Sequence, residues 1–248
     1  MPSLRHLALA LIAVPLALAL AACGDDKEAG LPQGEPIAAV PPRDGTPWTE
    51  VASETPEGGF VVGNPAAPLK LVEYASHTCP HCAEFAQTGA AGIDALVEKG
   101  VISYELRNQI HDPLDLTIAM LARCGPPTSF QPLANQVWQN FDVVMTAVQA
   151  NGEALQAAQQ APPAQRFQAI AQASGLLDFF AARGVSHDQA MVCLADTAKA
   201  QQIADNSAKQ SDELSVTGTP TFFLNGTLVP GTRWKQDIEP ALQRAGAR

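Results

Sequence analysis

The stretch from residue 69 to 107 constrains this chain more than any other: an apolar run, a Cys-Pro-His-Cys quartet, a helical repeat and a second apolar run follow one another. LKLVEY (69–74) comes after the turn-rich GNPAAP and reads as a short strand. Behind the cysteines, apolar or small residues recur three or four apart at Cys82, Phe85, Ala86, Gly89, Ile93, Leu96 and Val97 and stop at Lys99–Gly100. That spacing predicts an amphipathic helix with a glycine stop. Gly89 and Gly92 are expected to weaken or bend its middle. In VISYELR (101–107), Ile102, Tyr104 and Leu106 alternate onto one face, as in a half-buried strand. Strand, helix and strand make a βαβ unit with parallel strands and a right-handed crossover.

From Asp112 to about Glu213 the apolar spacing is helical throughout, in segments separated by Pro or Gly. The chain returns to strand in TPTFFLNGTLVPG, where Asn225-Gly226 between two apolar runs predicts a tight hairpin. A last helix, from about Trp234 to Arg244, closes the chain. The expected fold is therefore α/β: βαβ and ββα halves around a central sheet, interrupted at about 112–213 by a large all-helical insertion.

The N-terminus has its own logic. An apolar run of 16 residues, from Leu7 to Ala22, follows the basic Arg5 and ends in small residues. It is shorter than the roughly 20 residues that cross a bilayer, so residues 1–22 read as an export leader. Leu20-Ala21-Ala22-Cys23 resembles the lipobox of bacterial lipoproteins, which implies that Cys23 is lipidated and anchors the mature protein to a membrane. Gly24 in place of an aspartate leaves transfer to the outer membrane open. Residues 23–58 are rich in Pro, Gly and acids and read as a disordered tether with an r.m.s. span of roughly 30 Å. Eight acids against Lys27 and Arg43 give that tether six of the chain's ten net negative charges. Such a balance speaks against nucleic acid as a partner. The folded domain is expected over 59–248.

The chemistry concentrates in the close cysteine pair. Cys79 follows a strand and opens a helix, so its sulfur faces the unsatisfied N–H groups and positive end of the helix dipole. Both favour the thiolate, making Cys79 an attacking nucleophile. Cys82, one turn further in, is placed to attack a mixed disulfide formed at Cys79. His81 between them can offer a hydrogen bond or positive charge to the thiolate. A metal site would need further ligands in register, and His77 and His81 are expected to point to different sides of the strand–helix junction. A structural staple is the third reading, although so short a loop constrains the unfolded chain little.

EYASHTCPHC, the later VTGTPTFF and the helical insert between the two halves resemble the DsbA family of exported thiol:disulfide oxidoreductases, over about residues 60–245. The resemblance implies a thioredoxin fold, with Cys79 as nucleophile, Cys82 as resolving cysteine and His81 as thiolate stabiliser. It puts the family's cis-proline loop at Thr219–Pro220, where substrate backbone would pair, and makes Glu73 the buried acid that relays the proton of Cys82. Thr219 also occurs in isomerase-like branches, and His77 and Thr78 stand where apolar residues are usual, which is expected to make the site surface more polar. The remaining pair, Cys124 and Cys193 in the insert, is most simply a structural disulfide in an exported chain, with a second redox pair as the alternative. His6, His111 and His187 read as surface or capping residues, and Trp138 and Trp234 as packing residues.

The expected protein is a periplasmic, membrane-anchored monomer that uses no cofactor or metal. It passes its disulfide to reduced exported client proteins and is reoxidised by a DsbB-type membrane partner. The alternatives are a reductase or isomerase, or a tethered copper carrier; only four methionines in the chain count against the last.

Overall fold

In the computed structural model, which describes residues 30–42 and 44–248, the strands are β1 (Ala52–Glu54), β2 (Phe60–Gly63), β3 (Leu69–Ala75), β4 (Ile102–Asn108), β5 (Thr221–Leu224) and β6 (Thr227–Val229). Among the described residues they form one sheet in the order β1-β2-β4-β3-β5-β6. Only β3 and β4 pair in parallel, joined by the helix α1 (Pro80–Glu98); the other pairs are antiparallel. The register puts Leu71, Tyr104 and Leu224 side by side, and Glu73 beside Leu106 and Phe222. All of these face α1, because residues paired across a sheet point to the same side. β4 is buried on both faces rather than one, with Ser103 and Glu105 also covered.

The insert consists of α2 (Pro113–Ala122), α3 (Pro127–Gln139), α4 (Phe141–Ala150), α5 (Gly152–Gln159), α6 (Pro163–Ala173), α7 (Leu176–Ala181), α8 (His187–Leu194) and α9 (Thr197–Leu214). Asp112 caps α2 by accepting from the Asp115 amide at 2.9 Å. A disulfide joins Cys124, just past α2, to Cys193 in α8, with Cα atoms 5.8 Å apart and a separation of 69 positions in sequence. A loop of that length lowers the entropy of the unfolded chain by an amount worth about 4 kcal/mol in the chain-entropy account.

The hairpin turn lies where Asn-Gly predicts it: Asn225 and Gly226 have φ of 50° and 82°, the two positive values a twisted two-residue turn requires. The closing helix begins as a π turn, Trp234–Ile238, and continues as α10 (Glu239–Arg244). α1 runs unbroken through Gly89 and Gly92, which serve packing: a Cβ on Gly92 would lie 2.2 Å from the Trp234 indole. Gly92→Ala is therefore expected to cost about 1–3 kcal/mol, read as a lowered urea midpoint at unchanged slope.

The expected tether is corrected over its described part. Leu31 is buried, and backbone amides of Gly34, Ile37 and Val40 donate to the carbonyls of Arg244, Gly246 and Lys99. The Trp48 indole N–H then donates to Val40 at 2.6 Å, and β1 forms between 52 and 54. A few apolar side chains and paired backbone groups seat this Pro-rich segment, although its composition alone could not bury enough surface to order it. The strap runs from Gly30, against Thr227, past the end of α10 to the end of α1. This is the pole of the sheet opposite the cysteines. The leader and Cys23 lie outside the described residues, and among those residues no helix is long and apolar enough to cross a membrane.

Candidate active site

β3 delivers the chain to Cys79, which caps α1 with extended backbone (φ −87°, ψ 121°), and Pro80 takes the first helical position, where its missing N–H leaves nothing unpaired. The Cys79 sulfur meets the Cys82 thiol, the Thr219 side chain and the backbone N–H groups of Cys82 and His81. The Cys82 thiol is the largest influence; against burial, these groups hold the Cys79 pKa down from 9.0 to about 5. When protonated, Cys79 donates to the Thr219 carbonyl at 3.3 Å. The Thr219–Pro220 peptide is cis and ends directly at β5, which sets the loop against the sulfur. Cys79 and Cys82 are both free thiols.

Cys82 is sealed from solvent. Burial pushes its thiol far up, reinforced by the hydrogen bond to Cys79 and the charge of Glu73. One sulfur thus ionises readily and the other, more deeply sealed, holds its proton behind it.

Glu73 is buried on the α1 face of β3, with one carboxylate oxygen accepting from the Tyr104 hydroxyl and the other unpartnered. Burial raises its pKa from 4.5 to about 8; the Tyr104 bond opposes this and the Cys79 charge adds to it. Tyr104 was legible as an inward residue of its strand, but nothing in the sequence matched its hydroxyl to Glu73.

The imidazole of His81 is 74% exposed, with Nδ1 3.7 Å from the Glu84 carboxylate. What His81 supplies to the Cys79 sulfur here is its backbone N–H. The expectation that His77 makes the site surface more polar is overturned. Its ring is fully buried, stacked on Trp138 at 5.2 Å, with Nδ1 3.3 Å from Asp115. Asp115, equally buried, accepts from the amides of His77 at 2.8 Å and His111 at 3.0 Å. Trp138 donates its indole N–H to Ser76 at 3.1 Å, and Thr78 donates its hydroxyl to Asp112 at 3.1 Å. The first turn of the insert therefore holds the loop that carries Cys79. His111 Nε2 is 3.3 Å from the Thr219 hydroxyl, so this histidine joins the insert to the cis-proline loop; His187 pairs with Asp178 at 2.9 Å. Trp234 packs in the core, and no three His, Cys, Asp or Glu side chains group as metal ligands among the described residues.

The two buried shifts oppose each other in pH. Glu73 binds its proton more tightly folded than unfolded, so its contribution to stability is complete below about pH 4.5 and is lost as pH rises through 8. Cys79 binds its proton less tightly when folded, so its contribution is complete above about pH 9 and lost as pH falls through 5. Reduced Cys79→Ala protein is therefore expected to lose stability as pH rises from 5 to 8, where reduced wild type stays flatter. Urea denaturation across that range checks it, and equal slopes for the two proteins would contradict the assignment.

A mixed sheet with a helix-capping nucleophile, a buried partner thiol and a cis-proline loop defines the thioredoxin-fold class of dithiol proteins. The thioredoxin family model matches residues 55–244, and the chain belongs to that family. The crystal structure of a protein-disulfide isomerase from Novosphingobium aromaticivorans superposes with a TM-score of 0.70 at 31% identity, over 76% of this chain and 97% of that one. DsbA1 of Wolbachia pipientis shares the fold, with a TM-score of 0.61 at 20% identity over 80% of this chain and 96% of that one. A Rickettsia typhi protein provisionally named a protein-disulfide oxidoreductase is 27% identical over 72% of this chain, which spans 58% of that relative's length.

Proposed function

We propose that this protein is an exported thiol:disulfide oxidoreductase that donates the Cys79–Cys82 disulfide to reduced client proteins. The observation that carries the reading is the asymmetry of the pair. A thiolate held at about pH 5 on Cys79 stabilises the reduced form, and a stabilised reduced form makes the disulfide a stronger oxidant. In the reaction, a client thiolate attacks the Cys79 sulfur and Cys82 leaves. A second client thiolate then attacks the client sulfur of the mixed disulfide, and Cys79 leaves as its stable thiolate. Glu73 supplies the proton that the departing Cys82 needs, and the cis-proline loop at Thr219–Pro220 aligns the client backbone beside the sulfur. A DsbB-type membrane partner restores the disulfide, and the Cys124–Cys193 bond braces the insert.

An isomerase or reductase is the second reading, favoured by the description of the Novosphingobium relative and by Thr219 before the cis-proline. The equilibrium potential of the pair against a glutathione series separates the two. A value near the −120 mV of strong oxidants supports donation, whereas one near the −270 mV of thioredoxin assigns the reductive role.

The same reading places the protein in the periplasm on a lipid anchor at Cys23. The strap supports an outward-facing active site, because the chain enters the domain at the pole opposite Cys79. Palmitate labelling of the full chain, expected to vanish in Cys23→Ala, tests the anchor.

A further inference from the structure

Cys82, Glu73 and Tyr104 are all buried, yet every turnover adds a proton at the Cys82 sulfur or removes one. Glu73 as relay, on which this inference rests, solves half of that problem, since its own proton must still reach water. A cavity of about 10 Å³, room for roughly one water molecule, lies against Glu73 and Tyr104 and is walled by Phe85, Ile93, Asp94 and Asn135. A solvent-open surface groove between β2 and α3 shares two of those residues, Asp94 and Asn135. Asp94, on α1, is exposed on its outer side. Glu73 keeps one buried carboxylate oxygen without a partner. Among the described residues, the titratable side chains lining the cavity are Glu73 from β3, Tyr104 from β4 and Asp94 from α1, and Asn135 from α3 adds a neutral amide.

We propose that Asp94 is the proton gate of the site: through the cavity water and beside Tyr104, it passes protons between Glu73 and solvent. When a client thiolate breaks the Cys79–Cys82 bond, the Cys82 thiolate takes the proton of Glu73, and the Glu73 carboxylate is refilled from solvent by way of Asp94. On reoxidation the order reverses. The Cys79 thiolate attacks one sulfur of a partner disulfide and the partner's other sulfur leaves; Cys82 gives its proton to Glu73, then attacks the Cys79 sulfur and expels the partner sulfur bound there. Asp94 carries the proton out. Burial raises the Asp94 carboxyl from its ordinary range, which brings it closer to Glu73 as an exchange partner. Asp94 touches no reacting atom and acts as a positioning residue for the proton.

The test uses the full chain with a glutathione mixed disulfide preformed on Cys79, and follows its resolution by Cys82 between pH 5 and 9 in wild type, Asp94→Asn, Asp94→Glu and Glu73→Gln. Asp94→Asn is expected to slow resolution on the order of ten-fold near pH 6–7, less than loss of a direct proton donor, and to move the pH profile. Asp94→Glu restores both, while the alkylation midpoint of Cys79 and the melting temperature stay unchanged. A slow Glu73→Gln beside a normal Asp94→Asn profile overturns the gate and leaves the relay standing. Normal profiles in both remove the relay and the gate together. A slow Asp94→Asn that Asp94→Glu does not restore, with Cys79 alkylation shifted as well, assigns Asp94 a packing role and overturns the proposal.

Discussion

Alanine at Cys79 is expected to abolish transfer of the disulfide to a reduced, unfolded client, whereas alanine at Cys82 is expected to leave the protein covalently attached, through Cys79, to a client or partner that already carries a disulfide. The difference follows from position. Cys79 caps α1 and is the sulfur whose thiolate is favoured, so no other group among the described residues can replace it as attacker or leaving group. Cys82 is sealed behind it and cannot reach a client directly. Its removal therefore leaves the mixed disulfide at Cys79 without its resolving thiol. Turnover of a reduced model substrate and a non-reducing gel of the full chain read the two outcomes. Residual turnover in Cys79→Ala close to wild type would sink the reading.

The second large effect is at Asp115, which lies outside the reacting atoms. Asp115→Ala removes the acceptor shared by two backbone amides and the His77 imidazole. Leaving a buried donor unpaired costs about 1–3 kcal/mol each, so a loss of about 3–5 kcal/mol is expected, a large part of a domain's usual 5–15. The loop from Ser76 to Thr78 also loses one of its ties to the insert, so the surviving folded protein should show a Cys79 alkylation midpoint displaced upward from about 5. Thermal denaturation of the oxidised form and pH-dependent alkylation of the reduced form measure the two parts separately. An unchanged melting temperature would show that the network does not bear on stability.

Much of the site is legible in the amino-acid order alone. The strand LKLVEY, the cysteine pair and the helix behind it follow from local periodicity, and so does the Asn225-Gly226 turn, because each depends on neighbours a few residues away. Glu73 stands out only through family resemblance, since a strand carboxylate has the same local pattern whether it is buried or wet. β1 and β2 escape such a reading because they have three and four residues and owe their existence to pairing with each other and with β4, about 40 residues on. The strap escapes it for a related reason: its polar composition argues for disorder, and only its contacts with Arg244, Gly246 and Lys99 order it.

His77 shows the limit most plainly. Two residues before Cys79, an imidazole reads as part of the exposed site. The partner that buries it, Asp115, is 38 positions away, and the ring it stacks on, Trp138, is further still. The same holds for Cys124 and Cys193, whose pairing could be argued from the count but whose proximity across α2 and α8 is a property of the packed insert.

The sequence by itself determined the βαβ and ββα halves, the helical insert and the place of the close cysteine pair between strand and helix, because hydrophobic period, turn chemistry and cysteine spacing are local quantities. The tertiary structure alone decided that Cys82 is fully sealed, where Glu73 finds Tyr104, and how Asp115 ties the cysteine loop to the insert. Those outcomes depend on burial and on hydrogen bonds between distant segments, which exist only once the chain has folded.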